Sequence, residues 1–182
     1  ANDKEFAREL ARGHDIFVQD AFNTLFEPHA SIIGIPRFLP SAIGCVVQKE
    51  LDVLTSLKKN ARSPYCVIVG GAKIKDKLPV INHFITVADT ILVGGAVGVI
   101  AREEGLFADN PKVVLACDGV RGPNGKDADI GPKTVTLFTE YIKNAQTIFW
   151  SGSLGMTEET EFSHGSEAIA RMCAASHATT II

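Results

Sequence analysis

Three features of this sequence predict an α/β fold built on a parallel, Rossmann-like sheet. Short apolar runs recur after residue 64, helix-like or glycine-containing segments separate most of them, and glycines cluster where the runs end. Strands that alternate with helices form parallel sheets, because the crossover helices cover the faces of the sheet. We therefore predict a sheet covered on both faces, with strands at residues 66–69, 90–93, 113–116, 147–150 and 179–182.

The first 63 residues have a different organisation. A helical pattern at residues 4–11 precedes a strand-like stretch at 16–18, and a longer helical pattern runs from 41 to 60, strongest between 48 and 59. The first forty residues, with one helix and one strand, cannot bury a core of their own. We predict that residues 1–40 are a fragment of a second α/β domain, that 41–63 form a long interdomain helix and hinge, and that 64–182 form the sheet domain.

Both ends of the sequence suggest a fragment. The N-terminal part has the organisation of a piece of a domain, and the chain stops at Ile182 inside an apolar run that we predict to be a strand. Natural termini more often lie in polar segments. We therefore expect that further residues belong to this protein.

Composition excludes several classes of function. The 182 residues carry a net charge of −3 and are 46% hydrophobic, which is ordinary for a globular protein. Lysine and arginine form no basic run, so nucleic-acid binding is not expected. No apolar stretch approaches the roughly 20 residues that a membrane span needs. We expect a cytoplasmic protein with neither a nucleic-acid nor a membrane partner.

Cysteine and histidine spacing predicts no metal site. Cys45, Cys66, Cys117 and Cys173 form no CxxC pair, and the five histidines lack the spacing of metal ligands. Widely separated cysteines also signal no disulfide framework. We interpret them as reduced, mostly buried thiols.

The stretch VGGAKIKDK, residues 69–77, concentrates positive charge where a strand leads into a helix. Lysines at a helix N-terminus cost about 0.3–1 kcal/mol each, and Asp76 offsets only part of this. Lys73 and Lys77 are four residues apart, so they lie on one helical face. Glycines let an anion approach backbone N–H groups, and lysine is a natural partner for phosphate. The stretch indicates a phosphate site, although a solvated basic turn is the alternative.

Generic nucleotide motifs do not decide between these interpretations. Gly125-Lys126 is followed by an aspartate and lacks the upstream glycine of a P-loop. Gly95 and Gly98 match only two glycines of the dinucleotide fingerprint, so an oxidoreductase is weakly supported. The segment DIGPKT, residues 129–134, is typical of a loop that opens a helix near Pro132. Glu158 and Glu159 either favour the next helix start or, in the case of Glu158, accept hydrogen bonds from a ribose.

Taken jointly and in order, a set of segments resembles the phosphoglycerate kinases along essentially the whole chain. These segments are DIFVQDAF (15–22), PHAS (28–31), LPSAIGCVVQKEL (39–51), GGAKIKDK (70–77), ILVGGA (91–96), DIGPKT (129–134), FWSGSLGMTEE (149–159) and TTII (179–182). The resemblance implies a monomeric, hinge-bending enzyme of glycolysis. It would transfer a phosphoryl group between 1,3-bisphosphoglycerate and ADP, or between ATP and 3-phosphoglycerate in reverse, with Mg²⁺.

The resemblance also implies roles for individual residues. Residues 64–182 would form an incomplete nucleotide-binding domain, and residues 1–40 a fragment of the phosphoglycerate-binding domain. Lys73 would be the catalytic residue that approaches the transferred phosphoryl group, and Lys77 would bind the nucleotide phosphates. Gly71, Gly94 and Gly95 would line the adenine pocket and Glu158 would meet the ribose. The other matching nucleotide-binding positions are Ser151, Gly152 and Leu154.

Departures from the family pattern bear on activity. Where the family carries a GTAHRAHAS-type segment, Phe26 and Glu27 stand in place of a histidine and a phosphoglycerate-binding arginine. A like charge beside an anionic substrate costs about 1 kcal/mol or more. Ser151 and Ser153 replace the usual asparagine and proline, and residues 105–129 are shorter than in the family. We expect poor catalysis from these residues alone; the alternative is a non-catalytic nucleotide-binding or interaction module.

Overall fold

A computed structural model describes residues 2–123 and 125–182. The chain divides into two compact units, residues 1–60 and residues 61–182. Among the described residues, no helix is both long and apolar enough to cross a membrane.

The first unit contains two helices and a small sheet. Its regular elements are α1 (Lys4–Ala11), β1 (Phe17–Gln19), β2 (Ser41–Ile43) and α2 (Cys45–Asn60). The two strands pair in parallel, with Phe17 opposite Ser41. Short helical turns occupy most of residues 22–37. The helix predicted at residues 4–11 is confirmed.

The helix predicted over residues 41–60 begins later than expected. Residues 41–43 form the strand β2, and α2 begins only at Cys45, because the side chain of Asp20 caps the helix there. The Oδ1 atom of Asp20 accepts the N–H of Val47 at 2.9 Å, and a side chain at Gly44 would overlap that aspartate. The helix α2 falls within the first unit, and its role between domains stays a prediction.

The second unit is an α/β sheet domain. Its strands are β3 (Tyr65–Val69), β4 (Thr90–Val93), β5 (Val113–Leu115), β6 (Gly119–Arg121), β7 (Asp127–Ile130), β8 (Thr147–Ser151) and β9 (Thr179–Ile181). Its helices are α3 (Ile74–Ile85), α4 (Gly95–Glu103), α5 (Pro132–Asn144) and α6 (His164–Ala175). Five strands form a parallel sheet in the order β5-β4-β3-β8-β9. The predicted parallel sheet is confirmed.

Burial explains why these runs become strands. All five residues of the central strand β3 are buried, as expected for a strand covered on both faces. The core pairs this sheet with α5 and α6 through Phe138, Ile142, Ile148, Trp150 and Ile169. Full burial of such side chains contributes roughly 1.5–3 kcal/mol each.

An antiparallel hairpin, β6–β7, lies outside the main sheet. The segment DIGPKT was expected to be a loop, but Asp129 and Ile130 end the strand β7. Helix α5 does begin at Pro132, as predicted. Asp127 in β7 pairs with two arginines. Its Oδ2 is 3.1 Å from Nη2 of Arg102 in α4, and its Oδ1 is 3.4 Å from Nε of Arg121 in β6. Such ion pairs leave no periodic pattern in sequence, so the hairpin was not anticipated.

The expectation of mostly buried cysteines is wrong for half of them. Cys66 and Cys173 are buried in the core of the sheet domain, but Cys45 and Cys117 are exposed. Burial raises the pKa of Cys66 to about 12 and that of Cys173 to about 11, so these two thiols stay protonated at neutral pH.

Carboxylates cap the N-termini of four helices. Asp3 Oδ1 accepts the N–H of Phe6 in α1 at 2.7 Å, and Asp20 Oδ1 accepts the N–H of Val47 in α2 at 2.9 Å. Asp118 accepts the N–H groups of Lys133 and Thr134 at the start of α5, at 3.0 and 2.7 Å. Buried Asp129 accepts the N–H of Gly165 in α6 at 2.7 Å. These side chains neutralise the partial positive charge of each helix start.

Removing the cap of α5 is expected to destabilise the sheet domain. The variant Asp118→Ala should lose about 1–2 kcal/mol of unfolding free energy, measured by urea denaturation at pH 7, because two N–H groups lose their acceptor. Glu140→Ala is the matched control, since Glu140 is exposed on the same helix. An equal loss in both variants would contradict the capping role.

The cost of this substitution should depend on pH. Partial desolvation alone would raise the pKa of Asp118, but hydrogen bonds from Thr134 and Lys133 outweigh it and hold the pKa below its ordinary value of 3.8. The ionised cap therefore stabilises the fold fully above that value and is lost as the pH falls through the lower folded-state pKa. We expect the difference between wild type and Asp118→Ala to shrink on acidification below about pH 4.

Candidate functional site

Glycine turns meet at the carboxyl edge of the sheet. The strands β4, β3 and β8 are neighbours, and each ends in a glycine-containing turn. The N–H of Gly71 donates to Ser153 O at 2.8 Å, and the N–H of Val97 donates to Gly71 O at 3.1 Å. We use the name glycine rim for five glycines of these turns: Gly70, Gly71, Gly94, Gly95 and Gly152. Ligands of open α/β sheets bind at this edge.

Most of the rim packs too closely for side chains. A Cβ atom at Gly70 would overlap the carbonyl oxygen of Ser153, and one at Gly152 would lie 2.6 Å from Gly70 O. Gly71 and Gly152 also have φ angles of 105° and 88°, which glycine adopts at least cost. The sheet therefore ends in a surface of bare backbone.

Lys77 reaches this rim from helix α3. Its Nζ donates to Ser151 Oγ at 3.0 Å, and its Cε lies 3.5 Å from the position of a Cβ built on Gly71. Lys73 occupies the N-cap position of the same helix and is exposed. Both predicted lysines thus lie at the turn after β3, and Lys77 contacts the end of β8.

The two helices that start at the rim lack the carboxylate caps found elsewhere. In residues 2–123 and 125–182, no carboxylate accepts an N–H from the first turn of α3 or α4, and the N–H of Val97 in α4 donates to the backbone carbonyl of Gly71. Asp76 lies in the first turn of α3 and offsets part of the helix dipole. Each helix start carries roughly half a positive charge. The rim is therefore the part of the sheet edge best suited to an anion.

The other predicted nucleotide-binding residues differ in position and burial. Gly94 and Gly95 lie in the rim at the start of α4. Leu154 is fully buried in the core beneath it, and its N–H donates to Ser166 Oγ at 2.9 Å. Leu154 thus supports the turn from below with its side chain turned away from solvent. Glu158 is exposed in the segment that follows.

The sequence did not predict the acidic residues beside the rim. A small cavity of about 10 Å³, near the lower limit for holding one water molecule, is lined by Gly95, Arg102, Asp118 and Asp129 among others. Burial raises the pKa of Asp129, and the hydrogen bonds from Gly165 and Ile130 oppose that change. The sequence signal was Gly131, the N-cap residue of α5, which has no side chain with which to cap the helix.

Glu27, at the position of the family's phosphoglycerate-binding arginine, lies in the first unit. Its Oε2 atom is 3.9 Å from His29 Nε2, and its side chain is 56% exposed. The neighbouring Phe26 is 90% exposed. The position at which the family carries an arginine thus presents a carboxylate to solvent.

Comparison with known proteins identifies the family. A family model described as phosphoglycerate kinase matches residues 1–106 and 99–182. Curated phosphoglycerate kinases from Pelotomaculum thermopropionicum and Pseudothermotoga lettingae are 35% and 34% identical to this chain. Each alignment covers 100% of this chain and 56% of the relative, so the chain spans about half the length of these relatives.

Solved structures share the fold. A phosphoglycerate kinase from Coxiella burnetii matches 98% of this chain and 57% of its own, with a TM-score of 0.71 at 24% identity. One from Pyrococcus horikoshii OT3 matches 97% of this chain and 56% of its own, with a TM-score of 0.78 at 23% identity.

The matches also indicate where this chain is shorter. The alignment with the Pelotomaculum relative spans 222 residues, more than the 182 of this chain, so that relative has internal residues that this chain lacks. The family match divides near residues 99–106, next to the region predicted to be short. Because the family model matches nearly the whole length, this chain belongs to the phosphoglycerate kinase family.

Proposed function

We propose that this chain is part of an enzyme that transfers a phosphoryl group between 1,3-bisphosphoglycerate and ADP, or between ATP and 3-phosphoglycerate in reverse. In this proposal residues 64–182 bind the nucleotide, and residues 1–40 are a fragment of the domain that binds the phosphoglycerate. The observation that carries the proposal is the glycine rim with Lys77 beside it and the uncapped starts of α3 and α4. Phosphoryl transfer depends on positioning and on neutralising charge over the phosphate oxygens, which this arrangement suits.

Each residue then has a specific task. Lys73, at the N-cap of α3, approaches the transferred phosphoryl group, and Lys77 binds the nucleotide phosphates. Gly71, Gly94 and Gly95 expose backbone against which the adenine packs. Exposed Glu158 accepts hydrogen bonds from the ribose hydroxyls.

Magnesium belongs to this proposal as part of the nucleotide substrate. Phosphate oxygens are the ligands that Mg²⁺ prefers at kinase sites. In the part of the chain that the structure describes, no group of three histidine, cysteine or acidic side chains is arranged to hold a metal ion, so we assign the ion no protein ligand here.

The same proposal covers the cellular setting. We expect a cytoplasmic, monomeric enzyme of glycolysis whose two domains close by hinge bending around the phosphoglycerate and the nucleotide. Its partners are these two small molecules, without nucleic acid or membrane.

Nucleotide binding tests the proposed site. Calorimetry with Mg-ADP should show binding to the wild-type chain and about ten- to hundredfold weaker binding to Lys77→Ala, since a charged hydrogen bond to phosphate is lost. Lys75→Ala is the matched control, because it removes the same charge from an exposed position on the same helix. Its loss should be much smaller.

Two results would contradict this assignment. Equal losses in Lys77→Ala and Lys75→Ala would show that only net charge matters. The absence of Mg-ADP binding by the wild-type chain would remove the nucleotide site altogether.

A second candidate function, a non-catalytic nucleotide-binding or interaction module, is favoured by one observation. Exposed Glu27 stands where the family has an arginine that binds phosphoglycerate, and it lies beside His29 and exposed Phe26. A carboxylate at this place repels an anionic substrate.

A coupled assay of the full-length gene product separates the two candidates. Turnover at about 1–100 s⁻¹, the usual range for kinases, would exclude the module. Replacing Glu27 should also change phosphoglycerate binding: we expect Glu27→Arg to lower the KM for 3-phosphoglycerate about fivefold by turning repulsion into attraction. Glu27→Gln is the control that only removes the charge, and an unchanged KM in both variants would remove Glu27 from the substrate site.

A further inference from the structure

The hydrogen bond between Lys77 and Ser151 joins the exits of two neighbouring strands. Lys77 lies in the first turns of α3, which follows β3, and Ser151 is the last residue of β8. Val69 at the end of β3 is the register partner of Ser151. The side chain of Lys77 therefore crosses the rim to reach the adjacent strand, where Nζ and Oγ are 3.0 Å apart.

The surroundings restrict Lys77 more than its neighbours. It is half-buried, whereas Lys73 and Lys75 are exposed. Its Cε lies 3.5 Å from the position of a Cβ built on Gly71, which is van der Waals distance, so the lysine stem packs along this turn. A lysine already held in one place loses less conformational freedom when it binds phosphate.

Ser151 is chemically suited to hold this ammonium without neutralising it. A hydroxyl is uncharged and accepts one of the three N–H bonds of a lysine, so two donors stay available for an anion. The backbone of Ser151 is itself fixed, because its carbonyl accepts the N–H of Gly70 at 3.0 Å.

We propose that Ser151 is a positioning residue, whose hydroxyl holds Lys77 over the glycine rim ready for the phosphates of a nucleoside diphosphate. It acts through Lys77 rather than by touching the nucleotide. This inference rests on the proposed function, and it assigns Ser151 a different task from the direct nucleotide contact expected from its sequence position.

A double-mutant cycle tests the proposal in the wild-type chain and its variants. Calorimetry with Mg-ADP should show about three- to tenfold weaker binding for Ser151→Ala than for wild type. Ser151→Thr keeps the hydroxyl and should restore most of that affinity. In the Lys77→Ala background, Ser151→Ala should cause no further loss, because the serine acts only through the lysine. Ser153→Ala, in the same turn, is the matched control and should bind like wild type.

An experiment without ligand tests the hydrogen bond between Lys77 and Ser151 separately from nucleotide binding. Heteronuclear NMR of the side-chain Nζ–H groups should show Lys77 ordered in wild type and Ser151→Thr, and averaged with the exposed lysines in Ser151→Ala. Urea midpoints of the variants should agree closely, since a single partly buried hydroxyl at the sheet edge contributes little to folding.

The outcomes distinguish the two proposals. If wild type binds Mg-ADP and Ser151→Ala binds it equally well, or if Ser151→Ala weakens binding equally with and without Lys77, the positioning role is wrong and the proposed function stands. If wild type binds no Mg-ADP, the proposed function fails and the positioning role fails with it.

Discussion

Backbone contact between the turns that follow β3, β4 and β8 determines most of what the sheet domain can do. The three turns touch through N–H and carbonyl groups, and no side chain fits between Gly70, Gly152 and Ser153. This constraint brings two helix starts and the end of β8 to one small area. The glycines and lysines proposed to bind the nucleotide lie in this area.

Helix capping then gives the helix starts along the sheet edge different charges: those of α5 and α6 are neutralised by carboxylates, and those of α3 and α4 stay positive. Asp118 and Asp129 come from outside the helices α5 and α6 and occupy the positions that an anionic ligand would otherwise take. At α3 and α4 the described residues supply no such cap, and Lys73 and Lys77 add positive charge. Lysines at a helix start are unfavourable by themselves, and the proposed nucleotide phosphates would explain their placement.

The sequence predicted those parts of the fold that depend on local burial. The buried apolar run of β3 and the helix α1 were readable because their patterns are continuous. The strand β2 was not, because its three residues are all exposed and Asp20, some twenty residues earlier, sets the start of the next helix. The hairpin β6–β7 depends on ion pairs to Asp127 from Arg102 and Arg121, which no periodicity reveals.

The candidate site divides in the same way. The glycines of the rim and the two lysines Lys73 and Lys77 form a recognisable pattern along the chain, and the structure brings them to one edge of the sheet. Capping by Asp118 and Asp129 was not predictable, since the partners are 15 to 36 residues apart. Leu154 matched the family pattern, yet only the structure shows its side chain in the core.

Backbone amide NMR during titration with Mg-ADP tests the central claim most directly, because it reports on each helix start separately. We expect large shifts for the N–H groups of Ile74 and Lys75 at the start of α3 and of Gly95 and Ala96 at the start of α4. We expect small shifts at Lys133, Thr134 and Gly165, whose N–H groups are already bound by carboxylates. The largest shifts at α5 or α6, or no shifts at the rim, would contradict this claim.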